Sequence, residues 1–196
     1  MRWKIHTKQR VYDGHFKVDK YELSHEKYNG DTTPVLHREL VKRSNAVAVL
    51  PYDPVTDEIV LIEQFRVGAL EESRPWLQEI VAGLVDEGES SEEVACRESE
   101  EEIGCRPAEL IKIAGFYPSP GGLSEWVDLY LGRIAIKDIN ASGGLDHEGE
   151  DIRVFRQPAR AILGMVENGE IRSAIAIIAI QWFAANRSSI RKQGIN

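Results

Sequence analysis

The stretch RESEEEIG, Arg97 to Gly104, places glutamate at four of the five positions from 98 to 102. Carboxylates at helical neighbour spacing repel by roughly a few tenths of a kcal/mol per pair. Just upstream, Ser90 is followed three residues later by Glu93, the form of a capping box. A helix is therefore predicted to begin near Ser91 and to stop at Gly104, a residue suited to a left-handed terminator. Glu98 and Glu102 are four apart with Glu101 between them, so they share a face, while Ala95, Ser99 and Ile103 form a narrow stripe on another. Together with Glu89 in the preceding loop, these residues make an oxygen-only anionic cluster of the kind that suits Mg²⁺ or Mn²⁺. A cation there would also remove the repulsion. Arg97, the only base between Asp86 and Gly104, is placed to hold a carboxylate in a ligating rotamer. A charge run is more often a solvated helix face, and spacing by itself leaves both readings open.

The elements that must position this helix fit one domain of ordinary size, or a domain plus an appendage, in 196 residues. A net charge of −8 argues against a phosphate-backbone binder, so no nucleic-acid partner is expected. A small phosphorylated ligand bridged by metal is still compatible. Cys96 and Cys105 are too few for a disulfide framework, and MRWKIHTKQR has no apolar core of a secretory signal, so a reduced, cytoplasmic setting is expected. The apolar run AIAIIAI, residues 174–180, is far too short to span a membrane.

Residues 1–44 are polar with strand-like pieces, HFKVDKYEL and PVLHRELVKR, separated by a turn at Asn29-Gly30. Such a segment cannot fold alone and must pack on the main domain or on a second copy of the chain. Strands are predicted at AVAVL and EIVLIEQF around a hairpin, at LQEIVAG, LIKIAGF and EWVDLYLGRI, and at IRVF after the charged loop GLDHEGED. Helices are predicted over 159–169 and 173–186. Strands and helices that do not alternate in βα units indicate an α+β class.

Gly83, Glu89, Arg97-Glu98, Glu101-Glu102 and Gly104 occupy seven set positions within 22 residues, and this pattern resembles the Nudix box, the signature of the Nudix hydrolase family. The likeness decides the ambiguity of the charge run in favour of a metal site. Ser99 and Cys105 stand where the family usually has aliphatic residues, and neither is a ligand position. The resemblance implies a Nudix fold, an α/β/α sandwich with a mixed β-sheet, over residues 45–196. The segment 1–44 would be a small β-rich piece serving dimerisation and nucleobase recognition. LIEQFR (61–66), PWLQEIVAG (75–83), SPGG with Glu125, EGEDIRV and IAIQW extend the likeness to bacterial ADP-ribose pyrophosphatases, and Pro120 stands fifteen residues after the box, where that subfamily has a proline.

The resemblance implies divalent-metal-dependent hydrolysis of the pyrophosphate of ADP-ribose to AMP and ribose 5-phosphate. Glu98 and Glu102 would be metal ligands, joined by the Ala82 carbonyl and by Glu150, with Mg²⁺ or Mn²⁺ as the cofactor. Glu148, on a loop that closes over substrate in the subfamily, would be the catalytic base. Glu101 and Arg97 are counted with it among the catalytic positions, while Gly83, Glu89 and Gly104 are structural members of the box. Arg66 would contact the pyrophosphate, and Glu125 and Pro120 the rest of the substrate. Phe16, Arg38 and Glu39 would serve the nucleobase in a homodimer swapped through the N-terminal segment. His147 is read as a bystander.

Two other readings compete. One keeps the chemistry and changes the substrate to GDP-mannose or another nucleoside-diphosphate sugar. The other is a non-catalytic ADP-ribose-binding module. That reading is disfavoured because Glu98, Glu101 and Glu102 are all retained and the tail RSSIRKQGIN is too small for a DNA-binding domain.

Overall fold

The computed structural model describes residues 1–145, 147 and 149–193. Among these, contacts divide the chain into two compact units, one built from Met1–Asn45 with Tyr117–Trp126 and the other from Ala46–Phe116 with the chain from Val127 onward.

The first unit is an antiparallel sheet of β1 (Trp3–Asp13), β2 (Lys17–His25) and β3 (Leu36–Lys42), in that spatial order. Asp19 is almost fully buried on β2 beneath Arg10 and Lys8 of β1, and the Arg10 hydrogen bond holds its carboxyl below the usual carboxylate range. β1 is a long strand with every residue exposed, which the polar composition of MRWKIHTKQR did not announce. The turn expected at Asn29-Gly30 is present, with Gly30 at φ +87° and its N–H donating to the Lys27 carbonyl at 3.0 Å. Residues 117–126 join this unit from the middle of the chain. The Val41 N–H donates to the Gly122 carbonyl at 2.8 Å, and the Ser124 N–H donates to the Val41 carbonyl at 3.1 Å.

The second unit is the α+β sandwich that the box implied. Its mixed sheet uses β4 (Ala46–Asp53), β5 (Glu58–Phe65), β6 (Trp76–Glu79), β7 (Val81–Leu84), β8 (Glu109–Phe116), β9 (Val127–Arg133), β10 (Ser142–Gly143) and β11 (Ile152–Pro158). The spatial order is β10-β11-β5-β4-β9-β8, with β6 added to β5 and β7 to β4. β4 and β9 are parallel, while the other pairs are antiparallel. LQEIVAG, read as one strand, is divided at Ile80 because its first half pairs with β5 and its second half with β4.

Helix α1 (Ser91–Ile103) covers one face of the sheet, and α2 (Ala159–Glu167) with α3 (Ala174–Gln193) covers the other. Alternation along the central strands assigns the two cores. Val47, Val49, Val60 and Ile62 meet Val94, Ala95 and Ile103 of α1, while Ala48, Leu50, Ile59 and Leu61 meet Ile162, Ala176, Ile180 and Phe183. Among the described residues, no helix is long and apolar enough to cross a membrane.

Candidate active site

Helix α1 starts as its sequence requires. The Glu93 N–H donates to Ser90 Oγ at 3.3 Å, and the Ser90 N–H donates to the Glu93 carboxylate at 2.9 Å. Glu92 and Glu93 add negative charge at the positive end of the helix dipole. Gly104 ends the helix at φ +71°. Ser99 is fully buried and its hydroxyl donates to the Ala95 carbonyl at 2.7 Å, so a small polar residue satisfies itself in a stripe that otherwise takes aliphatic side chains.

The box glutamates have different environments. Glu102 is 2% exposed and accepts one backbone hydrogen bond, from Ala82 of β7 at 3.3 Å. Glu98 is partly buried against β7, and Gly83 makes its position feasible, because a Cβ there would fall 1.9 Å from the Glu98 carboxyl carbon. Burial pushes the Glu98 carboxyl up against the opposing pull of Arg97, with the charges of Glu101 and Glu150 adding to the rise. Burial pushes Glu102 well above the usual carboxylate range, reinforced by Glu98 and Glu150 and opposed by the Ala82 N–H and by Arg66.

Arg97 sits at the centre of this charge. Its Nε and Nη2 donate to the two oxygens of Glu89 at 3.0 and 3.1 Å, and its Nη1 donates to Glu98 at 2.8 Å and Glu101 at 3.0 Å. The Glu89 hydrogen bonds do most to drive the guanidinium pKa up, and in return they hold Glu89 down. Among the described residues, no three acidic, histidine or cysteine side chains already converge as a cage.

The donor set nonetheless fits a hard divalent cation. The candidate donors are all oxygens in a partly dry site, and among the described residues Glu102 has no ionic partner in hydrogen-bonding reach. From the sheet, Arg66 at the end of β5 donates through Nε and Nη2 to one Glu79 oxygen at 2.8 and 2.7 Å. From the loop after β10, Glu150 accepts the Leu145 N–H at 3.2 Å, and its charge is felt at both Glu98 and Glu102. The expected base, Glu148, lies outside the described residues.

Phe16, Arg38, Glu39, Pro120 and Glu125 belong to the other unit. There Glu125, 7% exposed, is paired with Arg43 Nε at 2.9 Å, and the Arg43 guanidinium also lies over the Phe16 ring at 5.8 Å from its centroid. Arg38 and Glu39 are exposed on β3, and Arg38 donates to the His37 carbonyl at 2.7 Å. Pro120 is exposed in the turn that leads to Gly122.

Arg43 and Glu79 were not singled out from sequence. Arg43 ends a basic run that reads as ordinary surface, and Glu79 lies in a strand with no charge pattern around it. A cavity of about 630 Å³ opens elsewhere in the second unit, between the β4–β5 turn, the start of β8 and the stretch after β9, and none of the box carboxylates lines it.

Comparison with known proteins identifies the family. The NUDIX domain model matches residues 42–174. The ADP-ribose pyrophosphatase of Escherichia coli (strain K12) is 38% identical over 190 residues, covering 96% of this chain and 91% of that protein. The GDP-mannose pyrophosphatase of Enterobacter sp. (strain 638) is 33% identical over 148 residues, covering 74% of this chain and 76% of that protein. A crystal structure of an ADP compounds hydrolase has the same fold, with a TM-score of 0.73 at 23% identity over 99% of this chain and 97% of that one. With an intact box on a capped helix and a family match across most of its length, the chain belongs to the NUDIX domain family.

Proposed function

We propose that the chain hydrolyses the pyrophosphate of ADP-ribose, adding water across the linkage to release AMP and ribose 5-phosphate. The observation that carries this reading is the pairing of Glu98 and Glu101 with Arg97 beside the buried Glu102 on the same helix, in a chain 38% identical to an ADP-ribose pyrophosphatase over nearly all of its length. It is a Nudix pyrophosphohydrolase by family and by the integrity of its box.

Glu98, Glu102, Glu150 and the Ala82 carbonyl are assigned to hold Mg²⁺ or Mn²⁺. When bound, the cation neutralises phosphate oxygens and lowers the pKa of a water. Arg97 orients Glu98 and Glu101, and Glu89 in turn orients Arg97 through two parallel hydrogen bonds. Arg66 offers a guanidinium fork to the pyrophosphate, exchanging its bond to Glu79 for phosphate oxygens. Glu148 is assigned to take the proton of the attacking water. Phe16, Arg38, Glu39, Pro120 and Glu125 are assigned to the nucleobase and the terminal ribose, to which the Arg43 pairing adds a reason for the fixed position of Glu125.

Residues 1–44 are assigned to dimerisation and residues 45–196 to catalysis. β1 is a sheet edge exposed along its whole length, with Trp3 74% and Tyr12 59% accessible, an arrangement suited to meeting a second copy. A homodimer swapped through this segment is part of the proposal, as is a cytoplasmic setting, for which the free thiols Cys96 and Cys105 speak.

The second substrate reading, GDP-mannose, is favoured only by the relatives of that name. Product analysis with Mg²⁺ separates the two. AMP from ADP-ribose, with no GMP from GDP-mannose, supports the proposal. GMP alone moves the assignment to sugar nucleotides, and neither product leaves a binding module.

A further inference from the structure

β10 lies on the last turn of α1 with no room for a side chain. A Cβ at Gly143 would fall 1.8 Å from the Glu102 carbonyl oxygen and 2.5 Å from its carbonyl carbon. Both are backbone atoms, so no change of rotamer relieves the overlap. Around this contact the chain caps the helix from outside. The Gly144 N–H donates to the Glu101 carbonyl at 3.1 Å, and the Asn140 N–H donates to the Ile103 carbonyl at 2.9 Å. These carbonyls lie in the final turn, where a helix has no internal donor to offer. Gly144 itself has φ +93°, and directly after it the Leu145 N–H is bonded to the Glu150 carboxylate at 3.2 Å. On the other side of the loop, Gly143 pairs with Ile152, which is 1% exposed and anchored in the core under α1.

We propose that Gly143 is a positioning residue of the reaction: its missing side chain lets β10 dock on the Glu102 backbone, so that Glu150 and the helix glutamates Glu98 and Glu102 move as one hydrogen-bonded backbone assembly. This rests on the reading of Glu98, Glu102 and Glu150 as cation ligands. Glu150 is 48 residues from Glu102 in sequence, and among the described residues this contact and its two flanking hydrogen bonds join the segment before the Glu150 loop to the helix end. Any Cβ at position 143 must displace the start of the loop by an ångström or more. A misplacement of that size costs on the order of 100-fold in rate.

The test compares Gly143→Ala, Glu150→Gln and the double variant with the parent. Gly164→Ala on α2, where a Cβ meets nothing within 4 Å, serves as the control. The expected result is a kcat about 100-fold lower in Gly143→Ala, with KM changed far less. Its Mn²⁺ affinity, read by EPR titration, should be about tenfold weaker. In the double variant the two losses should not multiply, because both act through the same carboxylate. Parent-like turnover and Mn²⁺ affinity in Gly143→Ala, or losses that multiply, overturn the proposal while leaving the ligand reading intact. Parent-like turnover and Mn²⁺ affinity in Glu150→Gln remove the ligand reading itself and the proposal with it. Hydrogen exchange on the unmodified protein gives an answer that does not depend on a variant folding. The Gly144 and Asn140 amides should be as protected as those of the last turn of α1, and exchange orders of magnitude faster would overturn the proposal.

Discussion

Gly83 on β7 faces the carboxyl group of Glu98 so closely that a Cβ would fall 1.9 Å from its carboxyl carbon. The glycine of the box therefore leaves space for the Glu98 carboxyl group. Gly83→Ala should fold, because the obstructing atoms are the end of a side chain that can turn away. That turn takes Glu98 from its place, and kcat should fall by about 100-fold. A crystal structure of the variant with Mn²⁺ would show Glu98 in a new rotamer, and unchanged kcat would refute the packing argument.

Glu98→Gln and Glu102→Gln should each lower turnover by at least about 100-fold, since a neutral amide is a poor ligand for a hard cation. Stability should move in the opposite direction. Both carboxyls are pushed up by burial, so the charged form is disfavoured in the fold, and an amide removes that cost. In EDTA at neutral pH the melting temperature should stay level or rise, by roughly 2–4 °C for each kcal/mol gained. A clear fall in EDTA would mean that the charge itself supports the fold.

Arg97→Lys should weaken Mn²⁺ binding by about 10–100-fold while the helix stays folded. The guanidinium reaches Glu89 with two nitrogens and Glu98 and Glu101 with a third, a geometry that an ammonium group cannot reproduce. Calorimetric titration with Mn²⁺ gives the answer directly.

Away from the site, the Tyr52 hydroxyl donates to Asp57 at 2.9 Å, and Arg187 of α3 pairs with the same carboxylate. Burial and the Asp57 hydrogen bond push Tyr52 up to about 12 from 10.0. The folded state thus keeps its proton where the unfolded chain has lost it. The stability this contributes is complete below pH 10 and disappears as pH rises toward 12. For Asp57, burial alone would raise the carboxyl, but the bonds from Arg187 and Tyr52 outweigh it and hold the group below 3.8. Its contribution is present above pH 3.8 and is lost as pH falls through the lower folded value. Urea midpoints followed against pH should show a shallower alkaline limb in Tyr52→Phe and a shallower acid limb in Asp57→Asn. Asparagine is chosen because residue 57 has φ +59°, which it tolerates. Limbs that match the parent would contradict these assignments.

The legible parts of this protein were local. Ser90, Glu93 and Gly104 mark the ends of α1 because caps are satisfied within a turn of the chain. The glutamate spacing reports a shared face because helical geometry is regular. By contrast, LQEIVAG was read as one strand because nothing in its composition marks Ile80 as the point where one neighbour is exchanged for another. β1 leaves no strand signature in the sequence because its apolar residues Trp3, Ile5 and Val11 are exposed and no buried face imposes an alternating pattern.

By itself the sequence marked the candidate residues: Glu98, Glu101, Glu102 and Arg97 on a capped helix, Glu89 in the loop before it, and glycines at 83 and 104. Only the tertiary structure decided what those residues experience. Glu102 is buried while Glu101 is partly open, Arg97 divides its donors among three carboxylates, and Gly143 brings a distant loop onto the Glu102 backbone. The physical reason is range. Capping and periodicity act over one or two turns of chain, whereas desolvation, charge sharing and steric contact depend on which distant segments the sheet brings together.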